Sequence, residues 1–235
     1  MIIPMYGCLV CDLIFAAARY DEDEMSRIYS DYHGVRVDNR EKFTPDIRKM
    51  GDIDLMTFNR KSSFHELLKK VDCKKSKLLD WGGNGSYVPD SEFDNIYAYD
   101  VGNESSAVGV VKLKDFESIN AQAPYDLITL THVLEHLPYP QTTLQTIRGF
   151  CSEETILYCE VPYQISDPLY SSPNIQNFNG YEYCEHINYF NIKSITSILI
   201  NCGFTPFFID DEHQDWGPHF AMHAIRVFAK RTTIQ

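Results

Sequence analysis

The sequence has little positive charge and no long apolar run. Among 235 residues, 21 Lys and Arg stand against 33 Asp and Glu, a formal charge of -12. A nucleic-acid backbone or an anionic membrane surface needs a basic face on its main partner, and this composition does not supply one. The one dense basic cluster is Lys69, Lys70, Lys74, Lys75 and Lys77, which reads as a solvated helix end and loop. No stretch reaches the ~18 apolar residues of a spanning helix. The apolar opening has no Lys or Arg ahead of it, and Asp12 interrupts it, which sets it apart from a secretory leader. The cysteines are odd in number and mostly scattered, at positions 8, 11, 73, 151, 159, 184 and 202. That is the pattern of reduced thiols in a cytoplasmic protein rather than a disulfide framework. Repeats and low-complexity tracts are also missing.

What is present is enough apolar sequence for a core. Hydrophobic residues make up 44% of the chain, at a length suited to one α/β domain with a small appendage. The character changes near residue 75. Residues 1–75 read as a mostly helical N-terminal segment. Met25, Ile28, Tyr29 and Tyr32 fall on one helix face, as do Phe64, Leu67, Leu68 and Val71. Ser63 and Glu66 have the spacing of a capping box that would open the second helix. Residues 33–60 are polar and weakly periodic.

From 76 to 235, seven short β-type runs appear: Lys77–Trp81, Asn95–Asp100, Val108–Leu113, Asp126–Thr131, Thr155–Val161, Pro206–Ile209 and Ala224–Ala229. Helical stripes separate several of them. Leu144, Ile147 and Cys151 follow Pro140, which suits a first helical turn. Ile195, Ile198, Leu199 and Cys202 follow Asn191 as N-cap and end at Gly203. Strands alternating with helices imply a doubly wound parallel sheet. The last two strands have no helix pattern between them. They are expected to form an antiparallel edge hairpin, with residues 211–221 as its loop.

The sharpest local feature is LLDWGGNG at 78–85, an apolar strand that ends in Asp80 and runs into glycines. In a doubly wound sheet, ligands approach the carboxyl ends of the strands at such a turn. Asp100 closes the next strand, 20 residues further on, where an acid typically takes ribose hydroxyls. DLITLTHVLEHLPYP, at 126–140, then delivers His132, Glu135 and His136 to the same edge.

With these motifs in their order, the chain resembles the class I S-adenosylmethionine-dependent methyltransferases, from residue 77 to about 230. LLDWGGNG matches the cofactor glycine motif, AYD the acidic end of the second strand, and YDLITLTHVLEHL the fourth-strand motif. CEHINYFNIKSITSILINCGF matches the late motif before the final hairpin. The LEH and EHINYF pieces resemble the subgroup found in natural-product, polysaccharide and cell-surface pathways. The implied fold is a seven-stranded Rossmann-like α/β sheet with an antiparallel edge hairpin. The implied cofactor is S-adenosylmethionine. By the same resemblance, Asp80 lies near the methionine amino group, and Gly82, Gly83, Asn84 and Gly85 shape the turn. Asp100 and Val101 meet the ribose, Asp115 and Phe116 the adenine, and His132 lies under the methionine portion. The glycine motif departs from D-x-G-x-G-x-G at Asn84 and Ser86. Asn tolerates a left-handed backbone, so the turn can survive. Pro89 limits the helix that should follow. Cys8 and Cys11 match one half of a two-CxxC zinc ribbon in relatives. Two of the four ligands of a structural zinc are missing, and no bound metal is expected.

Methyl transfer from a sulfonium needs a nucleophile held in line, and most of the acceleration comes from positioning. Where the nucleophile must lose a proton, His136 and His186 are the candidate bases, with Glu135 orienting one of them. Tyr163, Tyr189 and the 211–219 segment are candidates for the acceptor pocket. The acceptor is expected to be O or N of a small molecule or a sugar-derived intermediate, with no nucleic acid and no membrane as partner. Two other readings stand beside this one. A methyltransferase fold could be kept as an inactive binding subunit. An NAD(P)-dependent oxidoreductase is disfavoured because G-x-G-x-x-G is absent.

Overall fold

The structure is a computed structural model and describes residues 4–19, 21, 24, 50–89, 91–102, 105–163, 186–217 and 220–232. The expected helix through Met25, Ile28, Tyr29 and Tyr32 lies outside them.

At the centre is a seven-stranded sheet. Its strands are β3 (Lys77–Trp81), β4 (Asn95–Tyr99), β5 (Val110–Leu113), β6 (Leu127–Thr131), β7 (Ile156–Pro162), β9 (Phe204–Gly217) and β10 (Phe220–Arg231). They lie in the order β5-β4-β3-β6-β7-β10-β9. The first five are parallel, and β10 runs antiparallel to both β7 and β9. The strands read as continuous apolar runs because both faces are covered. Alternation then sorts their residues. Leu79, Ile128, Leu130, Leu157, Val161, Ile225 and Val227 face one layer, with Leu144, Ile147, Ile195 and Leu199. Those last four belong to helices α3 (Pro140–Gly149) and α4 (Ile192–Asn201). Leu78, Leu127, Ile156, Tyr158 and Phe228 face the other layer, against Phe64, Leu67 and Leu68 of helix α1 (Met50–Leu68). A short helix α2 (Phe116–Gln122) adds Ile119 to the first layer.

The caps expected at both ends of α4 are present. The Asn191 side chain accepts from Ser194 N–H, and Gly203 follows with φ +79°. Pro140 opens α3. Within the basic cluster Lys69 pairs with Glu66, Lys70 with Asp210 and Lys75 with Glu92, and the Lys77 ammonium donates to Gln122 O.

Two expectations need correction. Ser63 does not start a helix, because α1 begins by Met50 and Ser63 is interior, its Oγ accepting from Arg226. The apolar residues at 50, 53, 55, 56 and 58 are spread around the helix and share no face, so its start left no stripe in the sequence. Residues 211–221 are not a loop. β9 continues to Gly217 and β10 begins at Phe220. An edge strand paired along one side needs no apolar period, and the cross-strand ladder holds it. The mixed, mostly helical N-terminal part also holds a small hairpin. β1 (Met5–Gly7) and β2 (Ile14–Ala16) form a hairpin whose turn carries Cys8 and Cys11, and β2 pairs with β8 (Asn188–Tyr189).

Candidate functional site

The carboxyl ends of β3, β4 and β6 converge at one edge of the sheet. β3 ends in Asp80-Trp81 and turns at once through Gly82 to Gly85. Asp80 is buried. Its Oδ2 accepts from Gly85 N–H at 2.8 Å, and its Oδ1 accepts from the hydroxyls of Tyr87 (2.8 Å) and Thr129 (3.0 Å). Burial raises its pKa, against the pull of those hydrogen bonds. Both oxygens therefore serve to hold the turn.

The glycines are required by space. A Cβ on Gly83 would lie 2.2 Å from Asp80 Oδ2, one on Gly82 2.6 Å from Val133 Cγ2, and one on Gly85 2.8 Å from Val110 Cγ2. Gly82 and Gly85 both have φ +78°. The left-handed positions thus fall on these two glycines. Asn84, expected to supply one, does not. Its side chain accepts from Ser86 N–H, and its carbonyl accepts from Ala107 N–H. The 82–94 connection to β4 holds turns and no helix in its described residues, consistent with Pro89 inside it.

Asp100 stands at the end of β4, half-buried, and accepts from Gly102 N–H at 2.6 Å. Val101 is exposed beside it. Asp115 caps α2: its Oδ1 accepts from Ser118 N–H, and that bond lowers its pKa. Phe116 is half-exposed and stacks on Trp81, with centroids 5.9 Å apart at 24°, in a group with Tyr99 and Phe150.

The turn after β6 is different in kind. His132 has φ 55°, uncommon for a non-glycine residue and a sign of constraint. Its Nδ1 lies 3.2 Å from Glu135 Oε1, and its Nε2 lies 2.9 Å from Glu160 Oε1. Burial alone would lower the His132 pKa, but the two carboxylates outweigh it and raise it. Burial would raise both acids, yet His132 and neighbouring positive groups take Glu135 and Glu160 down to about 2. Glu160 also accepts from Tyr158 at 2.5 Å and lies 3.8 Å from Arg60 of α1. His136 Nε2 lies 3.8 Å from Glu135 Oε1, and the His136 ring meets the His186 ring edge-on at 4.6 Å. The chain therefore brings His132, Glu135, His136 and His186 into one cluster, next to the glycine turn through the Gly82–Val133 contact.

Sequence reading missed Glu160, Arg60, Tyr87 and Thr129. Glu160 did leave a signal, as the lone charge in an otherwise apolar strand, ILYCEVP. Arg60 left none, because a lone charge among the polar residues of a helix carries no pattern. Tyr163 packs edge-on against His223 at 4.8 Å, and Tyr189 is buried on β8.

The sequence profile of a methyltransferase domain family matches residues 52–207. The chain belongs to this methyltransferase domain family. Its fold agrees. The 1,6-didemethyltoxoflavin-N1-methyltransferase of Burkholderia thailandensis, solved with 1,6-didemethyltoxoflavin and S-adenosylhomocysteine, superposes with TM-score 0.59 at 15% identity. That match covers 97% of this chain and 99% of that one. The magnesium protoporphyrin IX methyltransferase of Synechocystis PCC 6803, solved with bound S-adenosylhomocysteine, superposes with TM-score 0.57 at 14% identity, over 90% and 100%. A sequence search of curated proteins finds no match. In this methyltransferase, no helix among the described residues is long and apolar enough to cross a membrane.

Proposed function

We propose that this methyltransferase moves the methyl group of S-adenosylmethionine to an O or N atom of a small molecule or a sugar-derived, cell-surface biosynthetic intermediate. The observation that carries the reading is the Asp80-locked glycine turn lying beside a buried acid–histidine cluster at one sheet edge. In this assignment Asp80 positions the turn, and Gly82, Gly83, Asn84 and Gly85 let the cofactor approach its backbone. Asp100 and Val101 take the ribose, and Asp115 with the half-exposed Phe116 takes the adenine. His132 supports the methionine end. Glu135, His136 and His186 handle the proton of the acceptor. Both superposed neighbours act on small molecules, and the -12 charge supports the same class here.

Residues 76–235 form the catalytic domain in this reading, with 1–75 as its lid segment. Arg60 reaching Glu160 supports this, as does Arg19 Nη1 donating to Pro138 O at 2.5 Å. The described cysteines are all unpaired, which fits a cytoplasmic protein.

Thermal-shift measurements with S-adenosylmethionine, S-adenosylhomocysteine and NADPH test the reading, because a ligand raises stability by mass action. Stabilisation by the first two and not the third is expected. Stabilisation by NADPH alone would overturn it. An inactive binding subunit would bind the cofactor yet turn over no acceptor in a screen of hydroxylated and amino small molecules.

A further inference from the structure

We propose that Glu135, His136 and His186 bind a divalent transition-metal ion. Their ligand atoms all lie within 4.8 Å of one another. They form the only cluster of three metal-ligating side chains among the described residues. Two imidazoles and one carboxylate suit Zn²⁺, Co²⁺ or Fe²⁺ and leave further coordination positions open. A tetrahedral site with bonds of roughly 2.0–2.2 Å separates its donors by about 3.3–3.6 Å. Small rotations of the two rings therefore close the set.

Three further observations point the same way. Glu135 has no exposed surface, and its Oε2 is buried without a hydrogen-bond partner. A buried carboxylate oxygen without a hydrogen bond is incompletely satisfied, and a bound cation would supply the missing interaction. The other oxygen, Oε1, is held by His132, itself held by Glu160 and through it by Tyr158 and Arg60. That is how a ligating carboxylate is oriented from behind. The backbone also brings the two ligand segments together. Glu135 O accepts from both Ile187 N–H and Asn188 N–H, at 2.9 and 3.0 Å. The Asn188 side chain donates to Leu134 O and Leu137 O. His186 is thereby fastened beside Glu135 and His136 without relying on its own ring.

The role of the ion rests on the methyl-transfer reading above, whereas its binding does not. A hydroxyl of the acceptor would take an open position, and its pKa would fall on the metal, as that of bound water does. The proton leaves to solvent. The O–CH₃ bond then forms as the S–CH₃ bond breaks, and S-adenosylhomocysteine departs. The preferred acceptor is thus an oxygen nucleophile.

The test uses the full chain, freed of metal by a chelator and dialysed. Co²⁺ is titrated while the optical spectrum is followed, and Zn²⁺ is titrated by calorimetry. One equivalent should bind, with d–d bands and no thiolate-to-cobalt charge transfer. Glu135→Gln, His136→Asn and His186→Asn should each weaken binding by more than about 100-fold, beyond the 10–100-fold expected for His132→Asn. Circular dichroism checks that each variant is folded. Cys8→Ser with Cys11→Ser should change nothing. Failure to bind Co²⁺, binding unchanged in both His136→Asn and His186→Asn, or a charge-transfer band lost with the cysteines would each overturn the proposal. S-adenosylmethionine affinity of the metal-free chain is measured separately. Its absence would overturn the methyl-transfer reading and leave the metal site standing.

Discussion

Two buried carboxylates sit at the same sheet edge and behave in opposite ways. Asp80, after β3, is satisfied by one backbone N–H and two neutral hydroxyls, and burial pushes its pKa up. Glu135, after β6, faces imidazoles, keeps one oxygen without a hydrogen-bond partner and is drawn down to about 2. Neutral donors can shape a loop around a buried acid, but they do not hold its charge. Cationic neighbours do hold it, at the cost of a cluster that is only partly satisfied. The half of the edge around Asp80 is therefore a cradle of neutral donors, and the half around Glu135 a charged cluster.

The sharpest way to break this contrast is at the histidines. His136→Asn is expected to lower kcat by about 10²–10⁴-fold while leaving cofactor affinity nearly intact. His186→Asn should follow it if both imidazoles serve the acceptor. Steady-state kinetics with an acceptor in hand reads both, and normal rates with unchanged pH profiles would remove the pair from catalysis. On the cradle side, Asp100→Ala should weaken S-adenosylmethionine binding about 10–150-fold, through loss of charge-assisted hydrogen bonds. Calorimetry showing unchanged affinity would take Asp100 out of the site.

Stability against pH separates the two carboxylates directly. The raised pKa of His132 makes a contribution present below its unfolded value of about 6.5 and lost as pH climbs through the folded one. The depressed Glu135 and Glu160 contribute above their unfolded value of about 4.3, and lose this as pH falls toward 2. The network is thus most stabilising between about pH 4.5 and 6.5. Asp80 has the reverse sign to those acids, since a raised carboxyl pKa favours the fold only at low pH. Denaturant melts from pH 3 to 9 should show the window in the natural chain and its loss in His132→Asn. The smallest effect is expected from Asp80→Asn, where an amide oxygen can still accept from Gly85 N–H. A stability change below about 1.5 kcal/mol fits one hydrogen bond altered among several. A collapse of the fold would instead mean that the Asp80 charge itself holds the turn.

Much of the sheet was legible because its signals are local or periodic. Lys77–Trp81 matches its strand residue for residue, and the Asn191 cap and the Pro140 start sit where their chemistry requires. The full length of the β9–β10 hairpin and the start of α1 were not legible. The far part of the hairpin is set by pairing with a neighbouring strand and not by an apolar period, and the apolar residues at the start of α1 share no helix face.

By itself, the sequence determined which residues reach the carboxyl edge of the sheet: the glycines after Asp80, the acid closing β4, and the histidines of LEH and EHINY. Strand length, turn chemistry and motif order suffice for that, since each acts within a few residues. Only the tertiary structure decided what those residues are to one another. Glu160 comes from β7, Arg60 from α1, and His186 lies 50 residues beyond His136. No local rule brings them together. Parallel pairing of β6 with β7 puts Glu160 under His132, and the Glu135 carbonyl draws residues 187 and 188 alongside. Burial and charge, which set the pKa of each group, exist only once those distant segments share a low-dielectric space.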